Sequence, residues 1–326
     1  MSVALVTGAR GFVGGWLAKA LLERGDTVVS LDRRRRSERP SAVGMLGIED
    51  DLVQVEADLT DPEAVAQTLR EHRVDAVFHL AAETIVGTVV ASPVRGFESN
   101  VRGTWTVLQA AVERGVERVV VASSDKAYGR HDELPYREDF ALQPTAPYEA
   151  SKAAADLIAR SFWHSYGLPV AVTRFANIYG GGDLNFSRLV PEAVSAALAG
   201  RAPVLRSDGS PERDFLYVED ATSAYLAIAD GLDRDVARGE AFNAGGGRPY
   251  AVGEVVELIS RLAGTGVEPE ILGTGNPEGE IDRQYVDPTK LRDRLGWSPQ
   301  VELEEGLRLT IDWYREHPEA LVPAAD

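Results

Sequence analysis

The segment most informative about the fold is Arg118-Val-Val-Val-Ala-Ser-Ser-Asp-Lys126. The β-branched run in its first half predicts a buried strand over about residues 118–123, and polar side chains follow from Ser123 to Lys126. In open α/β sheets, ligands lie outside the carboxyl ends of the strands. The hydroxyl, carboxyl and ammonium groups at this point therefore indicate a reaction centre at the edge of a parallel sheet.

Similar apolar runs occur on both sides of this stretch. They fall at about 3–7, 27–31, 53–57, 76–81 and 170–175, with helical patterns between them at about 12–24, 62–71, 94–114 and 148–166. Continuous Val, Ile and Leu runs separated by helices are typical of a parallel sheet with both faces covered. The sequence therefore predicts an α/β protein with a doubly wound Rossmann-type parallel sheet.

The regular alternation of strands and helices ends near residue 176. We expect residues 1–176 to form the Rossmann domain and residues 177–326 to form mainly a smaller mixed C-terminal lobe, laid over the carboxyl edge of the sheet. Part of the segment 215–245 is expected to return to the sheet, because strand-like segments recur there.

The composition argues against several classes of function. The 326 residues carry a formal net charge of −17 and a pI of about 4.8, which disfavours a nucleic-acid partner or an anionic membrane surface. There are no cysteines, so disulfides, thiolate metal sites and cysteine catalysis are excluded, and no metal site is predicted. Because the N-terminus lacks signal-peptide features and no apolar run has membrane-spanning length, we expect a cytoplasmic protein.

The first strand leads into a glycine-rich turn, Thr7-Gly8-Ala-Arg-Gly11-Phe-Val-Gly14. Gly8 permits the tight turn, Gly11 lets the backbone approach a pyrophosphate, and Gly14 lets the next helix pack on the strand. Unpaired N–H groups at the helix start, around Phe12 and Val13, would then meet the phosphates. The spacing Gly-x-x-Gly-x-x-Gly alone would also fit an ordinary turn, but its place between an N-terminal strand and a helix favours a dinucleotide cofactor.

The end of the second strand bears on which dinucleotide binds. Asp32 stands where a carboxylate accepts hydrogen bonds from the adenosine ribose and repels a 2′-phosphate, which favours NAD. The basic run Arg33-Arg-Arg-Arg36 favours NADP instead if its guanidinium groups hold that phosphate. We interpret the run as a solvated loop and expect NAD, with NADP as the less favoured cofactor.

The third and fourth strands end in residues that suit a cofactor site. Asp58 and Leu59 are placed to face an adenine, although Asp58 also suits the N-cap region of a helix before Pro62. The small residues after the fourth strand allow a close backbone approach to the cofactor, and they are Leu80, Ala81 and Ala82.

Two polar residues inside apolar segments are interpreted as structural. His79 lies within an apolar strand and is expected to be a packed core histidine rather than a base. Asn100 lies in an otherwise apolar helix and is counted among the expected cofactor contacts. We predict that Asn100 bends the helix or forms hydrogen bonds there rather than acting as a catalyst.

Tyr148 and Lys152 lie four residues apart in Pro147-Tyr-Glu-Ala-Ser-Lys152. On a helix this spacing stacks both side chains on one face, where the ammonium can lower the pKa of the phenol. Such a phenol can take the proton of an alcohol while a hydride leaves for the cofactor. The pair therefore predicts an oxidation at this helix.

Arginines in the second half are candidates for a diphosphate clamp, because guanidinium forks match phosphate oxygens. The candidates are Arg188, Arg213 and Arg283. For any one of these arginines, a surface salt bridge explains the residue as well as a phosphate contact does. Their distribution as a set through the second lobe favours a clamp.

Taken together, these segments resemble the extended short-chain dehydrogenase/reductase family, in particular its nucleotide-sugar epimerases and dehydratases. The resemblance covers nearly the whole chain and rests on the ordered set 7–14, 58–59, 80–82, 123–129, 148–152, 174–180 and 213–220. It implies that Ser124, Tyr148 and Lys152 form a catalytic trio acting on a nucleotide-diphosphate sugar. It also implies a homodimer formed through the helices near 94–114 and 148–166.

The resemblance further implies where the ligands bind. Ser123 and Phe175 are expected to contact the cofactor together with Tyr148 and Lys152. Asn177, Arg213 and Arg283 would contact the substrate's diphosphate. The other expected substrate contacts are Thr84, Ser124, Arg188, Leu189, Val204 and Arg206.

The residues after Ser124 distinguish subfamilies in this resemblance. Epimerases usually carry small or apolar residues there, whereas hexose 4,6-dehydratases carry an acid–base pair, typically Asp-Glu. Asp125-Lys126 is similar to the pair of CDP-glucose 4,6-dehydratases, as is the turn Gly180-Gly-Gly-Asp183. The stretch Arg213-Asp-Phe-Leu-Tyr-Val218 instead follows the general family pattern, so the nucleotide base and the sugar stay open.

The resemblance thus implies an NAD-dependent nucleotide-sugar 4,6-dehydratase whose tightly bound cofactor is recycled. Asp125 would protonate the departing C6 hydroxyl and Lys126 would remove the C5 proton, and these two roles are open to exchange. The alternative is a 4-epimerase that uses Ser124, Tyr148, Lys152 and NAD alone. A third alternative, from a different class, is a non-catalytic dinucleotide-binding regulator.

Overall fold

The computed structural model describes residues 2–33, 40–275 and 281–321. The strands, in chain order, are β1 (Val3–Thr7), β2 (Thr27–Asp32), β3 (Val53–Glu56), β4 (Ala76–His79), β5 (Arg118–Ala122), β6 (Val170–Phe175), β7 (Asn177–Tyr179), β8 (Val204–Leu205), β9 (Glu212–Tyr217), β10 (Ala241–Ala244), β11 (Pro249–Ala251), β12 (Glu270–Ile271) and β13 (Arg283–Gln284). Seven of them form a parallel sheet in the order β10-β6-β5-β4-β1-β2-β3.

Helices cover both faces of this sheet. The α-helices are α1 (Phe12–Glu23), α2 (Ala42–Met45), α3 (Pro62–Glu71), α4 (Val86–Ala91), α5 (Pro93–Phe97), α6 (Gly103–Arg114), α7 (Pro147–Tyr166), α8 (Leu189–Leu198), α9 (Val218–Asp233), α10 (Val252–Ala263), α11 (Thr289–Leu295) and α12 (Leu303–Glu316). Helices α1 and α9 belong to the core on one face, and α3, α6 and α7 belong to the core on the other.

The side chains of β1 show why its sequence is apolar from Val3 to Val6. Ala4 and Val6 belong to the core beneath α1 and α9, whereas Leu5 belongs to the opposite core. Successive strand residues face opposite sides of a sheet, so a strand covered on both sides needs a continuous apolar run. The doubly wound fold predicted from these runs is confirmed.

The segment predicted as one helix over 94–114 is not a single regular helix. It consists of α5, a π-helical turn over Glu98–Arg102, and α6. The wide turn carries Asn100, whose side chain bonds to the backbone of Glu83 and to the Ser151 hydroxyl. A π-helical turn holds one more residue than an α-helical turn, and here these tertiary hydrogen bonds stabilise it. Helical periodicity in the sequence does not reveal such a turn.

The second half supplies a lobe and also one strand of the main sheet. Strand β10, which lies within the segment 215–245, pairs with β6 at the sheet edge. Strands β7, β9, β11 and β13 form a second sheet, and β8 pairs with β12. Residues of this lobe face the carboxyl ends of the main strands across a cleft.

Across the described parts of the chain, no helix combines the length and the apolar character needed to cross a membrane.

Candidate active site

A cleft of about 1480 Å³ lies between the carboxyl edge of the main sheet and the second lobe. Nearly all of the predicted site residues line it. From the sheet side these are Gly8, Gly11, Phe12, Val13, Gly14, Asp32, Arg33, Asp58, Leu59, Leu80, Ala81, Ala82, Thr84, Ser123, Ser124, Asp125, Lys126, Tyr148, Lys152 and Phe175. From the second lobe they are Asn177, Arg188, Leu189, Val204, Arg206 and Arg213.

The glycine-rich turn has the geometry of a phosphate cradle. Gly8 has a φ of 74°, which strains any other L-residue, and a Cβ on Gly14 would lie 2.2 Å from the Gly8 carbonyl oxygen. Helix α1 begins after Gly11 with no side-chain cap and no acidic residue in its first turn. Its N-terminal N–H groups and positive dipole end therefore suit an anionic diphosphate in the cleft.

Asp32 lies at the end of β2, on the wall of the cleft. The Ser30 hydroxyl donates to its Oδ2 at 2.7 Å. Burial raises the pKa of Asp32 to about 6, against the opposing effect of this hydrogen bond. At neutral pH its carboxylate is thus available to accept hydrogen bonds from ribose hydroxyls. Of the basic run, Arg33 lines the cleft, and residues 34–36 lie outside the described residues.

Asp58 is not the cap of the following helix. Its Oδ1 accepts the N–H and the hydroxyl of Thr60 at 2.8 and 2.7 Å, and these hydrogen bonds lower its pKa. Asp61 caps α3 instead, by accepting the N–H groups of Glu63 and Ala64. The carboxylate of Asp58 therefore stabilises a turn that holds the cleft wall.

The polar residues after β5 form a short 3₁₀ turn over Asp125–Tyr128. Ser124 caps it, because its Oγ accepts the N–H of Lys126 at 3.2 Å while its hydroxyl donates to Asp125 Oδ1 at 3.0 Å. Asp125 is only 2% exposed, and burial raises its pKa, although the charge of Lys126 opposes the shift. A protonated carboxyl at this place can act as a general acid.

Tyr148 and Lys152 lie near the start of α7. The helix begins here because Pro147 occupies its first position and Glu149 Oε2 accepts the N–H of Ala146 at 3.3 Å. Both catalytic candidates are buried, and both line the cleft. The helical spacing thus brings them to one wall, as predicted.

The predicted electrostatic effect of Lys152 on Tyr148 is wrong for this arrangement. Burial raises the pKa of Tyr148 to about 12, and the group that most opposes this shift is Arg188. Lys152 instead donates from Nζ to the carbonyl oxygen of Ala122 at 2.9 Å, and burial lowers its pKa to about 8. Desolvation therefore outweighs the proximity of the two residues along the helix.

Asn100, which was expected to contact the cofactor, does not line the cleft, and neither does His79. Asn100 is buried, donates to Ser151 Oγ at 2.9 Å and accepts the N–H of Glu83 at 2.6 Å, so it joins the loop after β4 to helix α7. His79 is packed between the hydroxyls of Thr7 and Thr104 at 2.9 and 3.0 Å, and burial lowers its pKa to about 3. Their geometry agrees with structural roles.

The arginine candidates differ in position. Arg188 lines the cleft, and its Nη1 donates to Asp183 Oδ2 at 3.0 Å. Arg213 also lines the cleft and donates to the backbone oxygens of Glu212 and Asp282. Arg283 does not line it; its Nε donates to Glu212 Oε2 at 2.6 Å on an exposed surface. Arg283 would have to leave this pair to reach a diphosphate in the cleft.

Several lining residues were not predicted from the sequence. Asn185 and Glu192 flank Arg188, and their nearness to the Gly180-Gly-Gly-Asp183 turn was the available signal. Tyr225, on α9, packs against Phe175 with ring centroids 4.9 Å apart. No local pattern distinguishes Tyr225 from an ordinary buried helix residue.

Known proteins are similar in sequence to nearly the whole chain. A family model described as GDP-mannose 4,6 dehydratase matches residues 5–310. The dTDP-glucose 4,6-dehydratase of Xanthomonas campestris pv. campestris (strain B100) is 34% identical over 333 aligned positions, covering 96% of this chain and 93% of that protein.

Solved structures of two kinds of enzyme are similar to the whole chain. One is the dTDP-glucose 4,6-dehydratase from Bacillus anthracis str. Ames in complex with NAD, with a TM-score of 0.86, 28% identity and 98% of each chain covered. The other is the UDP-glucose 4-epimerase of Thermotoga maritima with UDP-glucose. It has a TM-score of 0.88 and 29% identity, and the match covers 97% of this chain and 99% of that one.

Proposed function

Because this chain belongs to the GDP-mannose 4,6 dehydratase family, we propose that it is an NAD-dependent nucleotide-sugar 4,6-dehydratase. The family match agrees with the resemblance seen in the sequence motifs. The observation that carries the proposal is the buried carboxyl of Asp125 beside Ser124 in the cleft, since an epimerase needs no such acid.

The residues of the first domain fit NAD. The glycine turn at Gly8–Gly14 would hold its diphosphate, and Asp32 would accept hydrogen bonds from the adenosine ribose. The same carboxylate would repel the 2′-phosphate of NADP. When bound, NAD supplies the redox chemistry by accepting a hydride from the sugar's C4 and returning it to C6, so that no net oxidation occurs.

Ser124 and Tyr148 would act at the sugar's C4 hydroxyl. The Tyr148 phenol, once ionised, takes the hydroxyl proton, and the Ser124 hydroxyl donates a hydrogen bond to the same oxygen. Arg188 is the cation whose charge lowers the pKa of Tyr148 against the effect of burial. Lys152 would anchor α7 to the end of β5, because its Nζ donates a hydrogen bond to the carbonyl oxygen of Ala122.

Asp125 and Lys126 would carry out the elimination of water. A ketone at C4 acidifies the hydrogen at C5, and Lys126 would remove it as a base and return the proton to C5 when the hydride reaches C6. Asp125, whose pKa is raised by burial, would donate a proton to the departing C6 hydroxyl, and water leaves. The direction of the Asp125 pKa shift favours the assignment of the acid role to this residue.

The second lobe would bind the nucleotide diphosphate. Arg188, Arg206 and Arg213 line the same cleft, and so does Asn177. Leu189, Val204 and Thr84 supply the remaining contacts to the substrate. Guanidinium groups match phosphate oxygens in geometry and charge, so this wall is suited to a diphosphate.

Product mass and one variant test the proposal. The protein is incubated with NAD and UDP-, CDP-, GDP- and dTDP-hexoses. Loss of one water from one of them is expected, and Asp125→Asn should spare the oxidation but accumulate bound NADH because the leaving hydroxyl is not protonated. Normal turnover by Asp125→Asn would refute the assigned role of this acid.

A 4-epimerase remains the second candidate, because the Thermotoga maritima enzyme is equally similar in structure. In that case Ser124 and Tyr148 act in the same way, and Asp125 and Lys126 only contact the sugar. An isomer of unchanged mass in the same assay would establish epimerisation instead of dehydration.

We also propose that the protein is a homodimer, formed through the helices predicted for this contact. Val94 on α5 is 71% exposed, Trp105 on α6 is 45% exposed, and Leu157 on α7 is 56% exposed. Phe97 is a further exposed apolar residue of the same helices. We call Val94, Phe97, Trp105 and Leu157 the apolar helix face; pairing with its copy would remove these side chains from water.

A further inference from the structure

A buried hydrogen-bond network links the turn of Asp125 to the helix of Tyr148. Its centre is Arg174 on β6, which is 1% exposed. The guanidinium donates from Nε and Nη2 to the two carboxylate oxygens of Asp156, at 2.7 and 3.0 Å. Asp156 lies on α7 one turn beyond Lys152, so Arg174 holds the helix that carries both proposed catalytic residues.

The other side of the Arg174 guanidinium contacts the 3₁₀ turn. Its Nη1 donates to the hydroxyl oxygen of Tyr128 at 3.1 Å. The guanidinium carbon also lies over the Tyr128 ring, 4.9 Å from the ring centroid. Tyr128 is the last residue of the turn that begins with Asp125. Its hydroxyl in turn donates to Asn243 Oδ1 on β10 at 2.8 Å. The Tyr128 hydroxyl therefore joins the turn, two sheet strands and α7.

None of the four side chains in this network lines the cleft, since Tyr128, Asp156, Arg174 and Asn243 all lie behind it. They cannot act on the substrate directly. Nor is a buried ion pair by itself evidence of added stability, because desolvation of both charges offsets their attraction. What the network does supply is a fixed distance between two short segments that must act on one sugar.

We propose that Tyr128 and Arg174 are positioning residues that hold the Asp125–Lys126 turn in place relative to Tyr148 for the elimination of water. The inference rests on the proposed dehydratase function. A displacement of about 1 Å at a reacting group can cost a factor of about 100 in rate. The Gln143 N–H also bonds to the Tyr128 carbonyl oxygen, but the Tyr128 hydroxyl is the group that joins this turn to Arg174 and α7, so its removal is expected to shift the turn.

Tyr128→Phe tests this proposal, because it removes the shared hydroxyl and keeps the ring in its apolar cluster. In a single turnover, NADH should form at the wild-type rate and then disappear about tenfold more slowly or worse, with little change in KM. Thr310→Val is the control: it removes a buried hydroxyl that donates to the Gly306 carbonyl on α12, outside the cleft. Equal slowing of NADH formation and decay, or no slowing, would overturn the proposal.

Hydrogen exchange supplies a readout that does not depend on the substrate. In Tyr128→Phe, amides over residues 124–130 should exchange faster than in the wild type, while those of α12 should not change. Unchanged exchange over 124–130 would overturn the positioning role, whatever the sugar. If the wild type removes water from none of the hexose nucleotides, the proposed function is refuted. The exchange result then still decides whether Tyr128 holds the turn in place.

Discussion

At the scale of single residues, the proton chemistry depends on charges that are distant in sequence. Tyr148 and Lys152 are neighbours on one helix, yet the cation that most lowers the pKa of Tyr148 is Arg188, forty positions further along the chain. Arg188 is held at the cleft by Asp183, which is itself buried with a raised pKa. The second lobe therefore supplies the charge that most opposes the effect of burial on the pKa of this phenol.

Arg188→Gln should move the acid limb of the kcat–pH profile to higher pH. Loss of the guanidinium charge raises the pKa of Tyr148 further, and each unit lowers the phenolate fraction about tenfold below that pKa. The measurement is kcat at saturating substrate across neutral and alkaline pH, because Arg188 is also proposed to bind the diphosphate. Arg188→Lys keeps the charge and should restore the position of the limb. An increase in KM with an unmoved limb would show that Arg188 acts in binding only.

At the scale of elements, the β1–turn–α1 unit has almost no steric tolerance. Gly14→Ala would place a methyl carbon 2.2 Å from the Gly8 carbonyl oxygen, so the helix must shift away from the strand. We expect a loss of about 1–3 kcal/mol in the free energy of unfolding and weakened NAD binding, measured by urea denaturation and calorimetric titration. Gly275→Ala is the matched control, because a Cβ there meets nothing within 4 Å. Unaltered stability and NAD affinity in Gly14→Ala would contradict the packing argument.

The helix elements also show a limit of periodicity. Helices α1, α3 and α7 begin and end within one residue of the predicted bounds, because Pro62, Pro147 and the glycine turn mark their starts locally. The π-helical turn around Asn100 was not predicted, since its cause is hydrogen bonds to Glu83 and Ser151 on other elements.

At the scale of the whole molecule, the apolar helix face predicts the assembly. Light scattering after gel filtration should give the mass of two 35.2 kDa chains for the wild type and of one chain for a Val94→Glu/Leu157→Glu double variant, because the charges would be buried against the partner. Leu309→Glu, at an exposed position on α12, should remain a dimer. A single-chain mass for the wild type would rule out this dimer.

Local patterns in the sequence were enough to predict the parallel sheet, the glycine-rich turn, and Ser124, Asp125, Tyr148 and Lys152 as candidate site residues. These are local properties, since strand alternation, helix spacing and turn chemistry act over a few residues. The tertiary structure alone decided that Arg283 lies outside the cleft and that Tyr128 is anchored by Arg174. It also decided that burial raises the pKa of Tyr148, because desolvation and Coulomb interactions depend on which distant segments pack together.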